Sequence, residues 1–199
     1  VMNVNLKGTF NCIQKYVANY DSINQLLLKK NVSAPRLLSE NFNQNFIEIE
    51  DFGKKTLFDI LKIKRSNKFK IYKRILVTLI KLQNIKVKKI KNFKKKFYKI
   101  PIYSKSLLLE EVNLFFKWYV PHIFNKKKRF KINSQLRKVI SSLLKKIKLP
   151  NNTFVHRDFH VSNLMLKKKV ISVIDSQDAV YGNIAYDLAS LIDDVRLRT

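Results

Sequence analysis

Cysteine and glycine are scarce in this chain of 199 residues, and their scarcity excludes several kinds of protein. The single cysteine, Cys12, rules out a disulfide framework and any zinc site built from cysteines. Only Gly8, Gly53 and Gly182 are present, so no glycine-rich phosphate loop can be assembled. The P-loop motif G-x-x-x-x-G-K-[ST], the G-x-S-x-G elbow and the H-E-x-x-H pair are absent as well.

Long apolar runs are also missing. No run approaches the roughly 20 residues of a membrane span, and no secretory signal opens the chain. Hydrophobic residues nevertheless make up 46% of the sequence, which is enough for one sizeable core or two small lobes. We therefore expect a cytoplasmic protein that folds and does not cross a membrane.

Acidic residues are few, and the formal net charge is +27. Residues 54–150 hold 30 of the 41 basic residues but only Asp59, Glu110 and Glu111 of the 14 acidic ones. Such a block could bind nucleic acid or another anionic surface. No nucleic-acid-binding module is recognisable, however, and lysine far outnumbers arginine. We favour the interpretation that the abundance of lysine reflects AT-rich codons and that most lysines merely keep helix faces in contact with water. Nucleic acid is therefore not the expected partner.

Hydrophobic periodicity predicts a mixed α+β chain. Apolar spacing of three and four residues predicts helices over residues 21–30, 56–63, 69–83, 104–119, 132–148 and 186–195. Strands are expected at 36–39, 46–50 and 153–156, followed by a hairpin of 164–166 with 170–174. Residues 1–9 read as the end of a strand and a turn, and the lysine-dense stretch 85–99 as a mobile loop or an exposed helix. Pro101 and Pro121 bracket the helix at 104–119, and Ser134 is expected to cap the next one.

The stretch 154–179 carries the most specific pattern. A His-Arg-Asp sequence ends at Asp158, Asn163 follows five residues later, and Asp175 comes after a short apolar run. This is the order and approximate spacing of the phosphoryl-transfer machinery in kinases. We predict that Asp158 is the catalytic base and that Asn163 and Asp175 bind Mg²⁺, a cation that takes oxygen ligands. The alternative is a surface loop with scattered polar residues.

Neighbouring polar residues are assigned supporting roles. Arg157 would either stabilise the ionised base or form a structural pair with another carboxylate. His156 and His160 are expected to be packed loop histidines. Asp187, near the start of the last helix, can accept backbone N–H groups of the catalytic loop and hold it in place. Asp178 would either touch a substrate or cap the following loop.

Five blocks of the sequence resemble the aminoglycoside phosphotransferase and choline-kinase-like superfamily, which shares the protein-kinase fold. The blocks are residues 31–38 (NVSAPRLL), 46–53 (FIEIEDFG), 100–120 (IPIYSKSLLLEEVNLFFKWYV), 155–165 and 173–194. The QDA sequence at 177–179 and the helix with LLLEE and FFKWY point more closely to the bacterial anomeric kinases of N-acetylmuramate and N-acetylglucosamine. A departure is Ser176, which stands where the family usually has phenylalanine.

The resemblance implies a two-lobed, protein-kinase-like fold that uses ATP and Mg²⁺. Residues 1–53 would form a partial N-lobe with a helix, late strands and the hinge, and residues 54–199 a helical C-lobe with the catalytic and metal loops. Adenine would bind the hinge backbone of Glu48, Ile49, Glu50 and Asp51. The sugar pocket would lie near Glu110, Glu111, Trp118 and Tyr119. Because the chain opens at Val1 and closes directly after a helical pattern, we expect flanking segments, including earlier N-lobe strands, to be missing.

The expected function is transfer of the γ-phosphate of ATP to a hydroxyl of a small molecule. The favoured acceptor is the anomeric hydroxyl of an amino sugar in cell-wall recycling. One alternative is a kinase of the same fold for an aminoglycoside, choline or homoserine. The other is a catalytically inactive, basic nucleic-acid-binding protein. The oligomeric state is left open.

Overall fold

The structure, a computed structural model, describes residues 6–41, 46–63, 66–92, 95–148, 150–167, 169–194 and 196. The helices are α1 (Leu6–Lys29), α2 (Leu57–Leu61), α3 (Lys68–Gln83), α4 (Lys105–Leu114), α5 (Val120–Ile123), α6 (Lys126–Lys146) and α7 (Tyr186–Ile192). The strands are β1 (Leu37–Asn41), β2 (Phe46–Ile49), β3 (Lys89–Lys91), β4 (Phe97–Lys99), β5 (Thr153–Val155), β6 (Leu164–Lys167), β7 (Val170–Val173) and β8 (Val180–Gly182). Among the described residues, no helix combines the length and apolar composition that a bilayer-spanning segment needs.

The described strands form four antiparallel pairs, β1–β2, β3–β4, β5–β8 and β6–β7. The β6–β7 hairpin pairs Leu164 with Val173 and Lys167 with Val170. Because an antiparallel hairpin returns the chain to its starting point, the residue before β6 and the residues after β7 become neighbours. The amide of Ile174 accordingly donates to the carbonyl of Asn163 at 3.0 Å.

One main core holds these elements together. Ile23 and Leu27 of α1 are buried in the same cluster as Leu57 of α2, Ile75 of α3 and Leu164 of β6. Each such side chain contributes about 1.5–3 kcal/mol when it is fully removed from water. The core therefore draws residues from both sides of position 53, while the division into two lobes at that position stays a prediction.

The N-terminal prediction was wrong where the structure describes it. Residues 6–9 belong to α1, which extends over 24 residues, and are not a strand end and turn. The remainder of that prediction, residues 1–5, lies outside the described residues. Sequence spacing could have indicated the longer helix, since apolar residues recur at Ile13, Val17 and Tyr20 before Ile23 and Leu27.

The lysine-dense segment at 85–99 was also assigned wrongly. It contains the hairpin of β3 and β4, in which Ile90 pairs with Tyr98. Ile90 is buried between exposed lysines on either side, which is the period-two alternation of a strand. The high lysine content obscured that alternation in the sequence.

Pro121 does not end the helix that precedes it. A π-helical turn, Phe115–Tyr119, follows α4, and Pro121 lies in the first turn of α5. Proline is tolerated there because the missing N–H needs no intrahelical partner. The next helix, α6, begins earlier than predicted: Asn125, not Ser134, is its N-cap and accepts from Lys128 N.

Candidate active site

The predicted catalytic loop connects β5 to β6. Its backbone closes on itself, because His160 N donates to Asp158 O at 3.0 Å and Asn163 N donates to His160 O at 2.9 Å. Arg157 has φ +76°, a left-handed backbone that is unusual for a residue with a side chain. Such conformations persist where surrounding contacts impose them and are concentrated at functional sites. The Asp158 side chain lies at the surface, exposed to solvent.

Two buried side chains support this loop. Asp187 is 1% exposed and accepts the amides of His156 at 2.8 Å and Arg157 at 3.1 Å. His156 is fully buried, and its Nε2 lies 3.1 Å from the carbonyl oxygen of Ile174. Since a carbonyl only accepts, Nε2 must carry the proton, and the buried Nδ1 has no hydrogen-bond partner among the residues that the structure describes. The loop is therefore tied both to α7 and to the end of β7.

Burial shifts the pKa values of these two groups in opposite directions. Burial raises the pKa of Asp187 to about 7, although the amides of His156 and Arg157 act to lower it. Burial lowers the pKa of His156 to about 4. Between pH 4 and 6.5 the native state thus binds more protons than the unfolded chain at Asp187 and fewer at His156.

We expect the two groups to give opposite pH dependences of stability. Asp187 contributes stability that is present near pH 4 and lost as the pH rises to 7. The neutral form of His156 contributes stability that is present above pH 6.5 and lost as the pH falls to 4. In urea unfolding, the advantage of the parent over His156→Asn should grow from pH 4 to 6.5, by at most about 1.4 kcal/mol per pH unit. The advantage of the parent over Asp187→Asn should shrink across the same range. If the two differences in unfolding free energy change with pH in the same direction, the pKa shifts assigned to His156 and Asp187 are contradicted.

Asn163 and Asp175 meet at the open end of the β6–β7 hairpin. Asn163 donates its Nδ2 to the carbonyl of Asp158 at 3.1 Å, which leaves the amide oxygen as the atom available to a cation. Asp175 has φ +63°, a second left-handed position, and its Oδ1 accepts from Gln177 Nε2 at 2.6 Å. The loop and the hairpin together bring the two predicted metal ligands to one place.

Both residues line a cavity of about 660 Å³, a typical size for a small-molecule site. The segment after β2 also lines this cavity; there Asp51 Oδ1 accepts from Gly53 N at 2.7 Å and Gly53 takes φ +86°. The lining of the cavity comprises Val17, Tyr20, Pro35, Ile49, Glu50, Asp51, Phe52, Gly53, Asn163, Met165, Ile174, Asp175 and Gln177. Residues of the predicted hinge and the predicted metal ligands therefore line one cavity.

The hinge carboxylates have different roles. Arg36 and Lys167 both pair with Glu50, and their hydrogen bonds lower the pKa of Glu50 to about 2. Glu48 does not line the cavity, since its Oε2 accepts from Ser39 Oγ at 3.0 Å on the β1–β2 hairpin. Three of the four predicted hinge residues, Ile49, Glu50 and Asp51, thus reach the cavity.

Asp158 lines a second cavity, of about 550 Å³. Its lining is mostly polar and consists of Arg157, Asp158, His160, Tyr186, Ala189, Ser190, Asp193, Asp194 and Arg196. Burial, reinforced by the charge of Arg196, lowers the pKa of His160. The structure therefore places the predicted base beside one cavity and the predicted metal ligands beside the other, joined by the bond from Asn163 to Asp158.

The predicted sugar-side residues line neither of these two cavities. Glu110 is exposed on α4, and the side chains of Trp118 and Tyr119 are 60% and 54% exposed on the π-helical turn. Glu111 instead forms an ion pair with Arg157. Asp178 is exposed, and its carbonyl lies 3.5 Å from Arg157 Nη1.

Sequence reasoning missed the contribution of α1. Tyr20 lines the first cavity, and its pKa is raised by burial, opposed by a hydrogen bond with Asn24 and assisted by the charge of Asp175. Asn24 is buried and accepts from Ser176 Oγ at 2.6 Å. The serine that departs from the family pattern therefore links the segment after Asp175 to α1. No sequence motif predicts the hydrogen bond between Ser176 and Asn24.

The oxygen atoms of Asn163 and Asp175 suit a hard divalent cation. Magnesium is commonly bound by one or two carboxylates together with substrate phosphates. In the described part of the chain, no group of three His, Cys, Asp or Glu side chains could hold a metal ion by itself. A site completed by phosphate oxygens fits this donor set.

The chain belongs to the APH phosphotransferase enzyme family, whose profile matches residues 13–198. Its fold is similar to that of the protein in the structure of the streptomycin–ATP–APH(2″)-IIa ternary complex, with a TM-score of 0.56 and 13% sequence identity. That match covers 90% of this chain and 62% of the other. The likeness confirms the kinase-like α+β fold that the sequence predicts.

Among curated proteins, the chain is similar to N-acetylmuramate/N-acetylglucosamine kinases. It is 30% identical over 182 residues to the one from Neisseria meningitidis serogroup B, covering 89% of this chain and 51% of that protein. It is 27% identical over 169 residues to the one from Pseudomonas aeruginosa, covering 85% and 47%. The chain thus spans about half the length of the curated relatives that it matches.

Proposed function

We propose that this chain belongs to an ATP- and Mg²⁺-dependent kinase that phosphorylates the anomeric hydroxyl of an N-acetylated amino sugar. The observation that carries the proposal is that the catalytic loop contributes Asn163 to one cavity and Asp158 to another. The cavity lined by the hinge, Asn163 and Asp175 is assigned to the nucleotide. The cavity lined by Asp158 is assigned to the acceptor. In this arrangement, the base and the phosphates would meet at the catalytic loop, where Asn163 donates to the carbonyl of Asp158.

Each residue has a defined task in this mechanism. The backbone after β2 would bind adenine, and Asn163 and Asp175 would hold Mg²⁺, which neutralises charge on the phosphates during transfer. Asp158 would orient the acceptor hydroxyl and take its proton. The acceptor oxygen then bonds to the γ-phosphorus while the bond between that phosphorus and the bridging oxygen breaks, and ADP leaves. Positioning supplies most of the catalysis in such a reaction.

The curated relatives support the choice of acceptor, since both are named as kinases of N-acetylmuramate and N-acetylglucosamine. A role in recycling cell-wall sugars within the cytoplasm follows from that acceptor and is part of the proposal. The large excess of lysine gives no separate support for nucleic-acid binding, because no recognisable nucleic-acid-binding module accompanies it.

An ADP-release assay on the protein from its complete open reading frame tests the proposal. We expect turnover with N-acetylglucosamine and N-acetylmuramate, and at least tenfold less with an aminoglycoside, choline or homoserine. Chelation of divalent cations by EDTA should abolish turnover and added Mg²⁺ should restore it.

The methyl glycoside of N-acetylglucosamine is the matched control, since it differs only in having its anomeric oxygen blocked. We expect no phosphorylation of this compound. If it is phosphorylated as fast as the free sugar, the anomeric assignment is wrong. If no acceptor in the panel supports ADP release, the kinase proposal itself fails.

A further inference from the structure

Arg157, the residue directly before Asp158, is held by α4. Its Nη2 donates to Glu111 Oε1, and the other oxygen of Glu111 accepts from the hydroxyl of Tyr103. Tyr103 is 3% exposed, and its ring packs edge-on against Tyr186 with centroids 5.2 Å apart. The Arg157 guanidinium carbon also lies 5.4 Å from the centre of the Tyr103 ring. A single ion pair thus connects the catalytic loop to a packed aromatic pair.

The contacts around Arg157 come from separate parts of the chain. Asp187 of α7 accepts its backbone amide, the carbonyl of Asp178 lies near its Nη1, and Glu111 of α4 binds its Nη2. Arg157 has a left-handed backbone, so the direction of its neighbour along the chain depends on these contacts. Fixing both the amide and the guanidinium of Arg157 fixes how Asp158 is presented to the second cavity.

Glu111 is held by protein groups and is not among the residues that line the cavity beside Asp158. Both carboxylate oxygens already accept hydrogen bonds from protein groups, one of them charged. The carboxylate of Glu111 and the side chain of Arg157 are 37% and 29% exposed, and pairs of that exposure add little to global stability. Loss of the pair should therefore change geometry more than folding.

We infer that Glu111 is a positioning residue, which orients Asp158 through Arg157 and does not bind the sugar as the resemblance implied. The inference rests on the proposed function in one respect, namely that Asp158 is the base. It makes the alignment of the base depend on the position of α4, 46 residues away along the chain.

Steady-state kinetics of Glu111→Gln separate positioning from binding. Glutamine keeps an oxygen for Tyr103 but removes the charge that holds Arg157. We expect kcat to fall about 10- to 100-fold while KM for the sugar changes less than about twofold. Glu40→Gln, the same change on an exposed residue of β1, should leave both constants unaltered. A tenfold rise in sugar KM at unchanged kcat would overturn the inference, because it indicates direct binding.

A double-mutant cycle tests the route through Arg157. If Glu111 acts only on that guanidinium, adding Glu111→Gln to Arg157→Gln should lower kcat by less than about twofold beyond the single Arg157 variant. If the fold-loss of kcat in the double variant equals the product of the two single-variant losses, Glu111 acts independently of Arg157 and the inference is overturned.

Hydrogen exchange gives a readout that needs no turnover. In Glu111→Gln, amides of residues 156–163 should exchange about tenfold faster than in the parent, while those of β1 and β2 should be unchanged. Equal exchange at 156–163 would overturn the positioning role whether or not the parent is a kinase. Absence of turnover in the parent with every sugar would instead refute the proposed function, so the two failures are distinguishable.

Discussion

Replacing Asp158 by asparagine is expected to lower turnover by about 10²- to 10⁴-fold, which is the rate enhancement that a positioned general base typically supplies. Asparagine has nearly the same shape but cannot take the acceptor proton. Within the described part of the chain, the Asp158 carboxylate makes no hydrogen bond, so its loss should not cost folding free energy. Single-turnover phosphate transfer followed by quenching measures the chemical step directly.

Two controls make this result specific. Binding of ATP to Asp158→Asn, measured by calorimetry, should match the parent within about threefold, because the nucleotide cavity is lined by other residues. The thermal midpoint should change by less than about 2 °C. If the variant retains near-parent turnover while folded, Asp158 is not the base and the mechanism must be abandoned.

Removing the buried carboxylate of Asp187 is expected to have the largest effect on stability. Asp187→Ala would leave the amides of His156 and Arg157 without acceptors in a buried site. An unsatisfied buried amide costs about 1–3 kcal/mol. We therefore expect a loss of about 2–4 kcal/mol near pH 5, where the contribution of Asp187 is largely retained, or roughly 4–16 °C in the thermal midpoint. Scanning calorimetry and urea unfolding measure the two quantities.

Matched variants decide whether the lost hydrogen bonds are the cause. Asp187→Asn retains one carbonyl oxygen and should recover part of the loss. Ile192→Ala truncates a residue of the same helix that is 76% exposed, and it should cost less than about 0.5 kcal/mol. If Asp187→Ala is no less stable than Ile192→Ala, the two amides are satisfied in some other way.

The predicted helix at 69–83 and the hairpin after Asn163 agree with α3 and β6–β7 to within one residue at each end. These segments carry strong local patterns, and local patterns are what a sequence displays. The hairpin at 89–99 and the first half of α1 were missed because their local patterns are weak. Lysine side chains mask the alternation in the former, and a single glycine, Gly8, weakens the helical pattern in the latter.

In the candidate site as well, residues close together in sequence could be predicted, whereas contacts between distant positions could not. Short spacings brought Asp158, Asn163 and Asp175 to attention because one loop and one hairpin join them. The contact between Ser176 and Asn24 spans 152 residues of sequence, and no spacing rule connects two such positions. Likewise, nothing in a run of glutamates distinguishes Glu111, which binds Arg157, from exposed Glu110.

The family, the kinase-like fold class and the candidate catalytic and metal-binding residues were readable from the sequence, because they depend on periodicity and on motifs within about 20 residues. Tertiary structure alone decided that the predicted base and the predicted metal ligands border different cavities, and that Glu111 joins Asp187, whose supporting role the sequence indicated, in holding Arg157. Those arrangements depend on which side chains from distant parts of the sequence come into contact when the chain folds. The order of residues along the chain does not determine such contacts by any local rule.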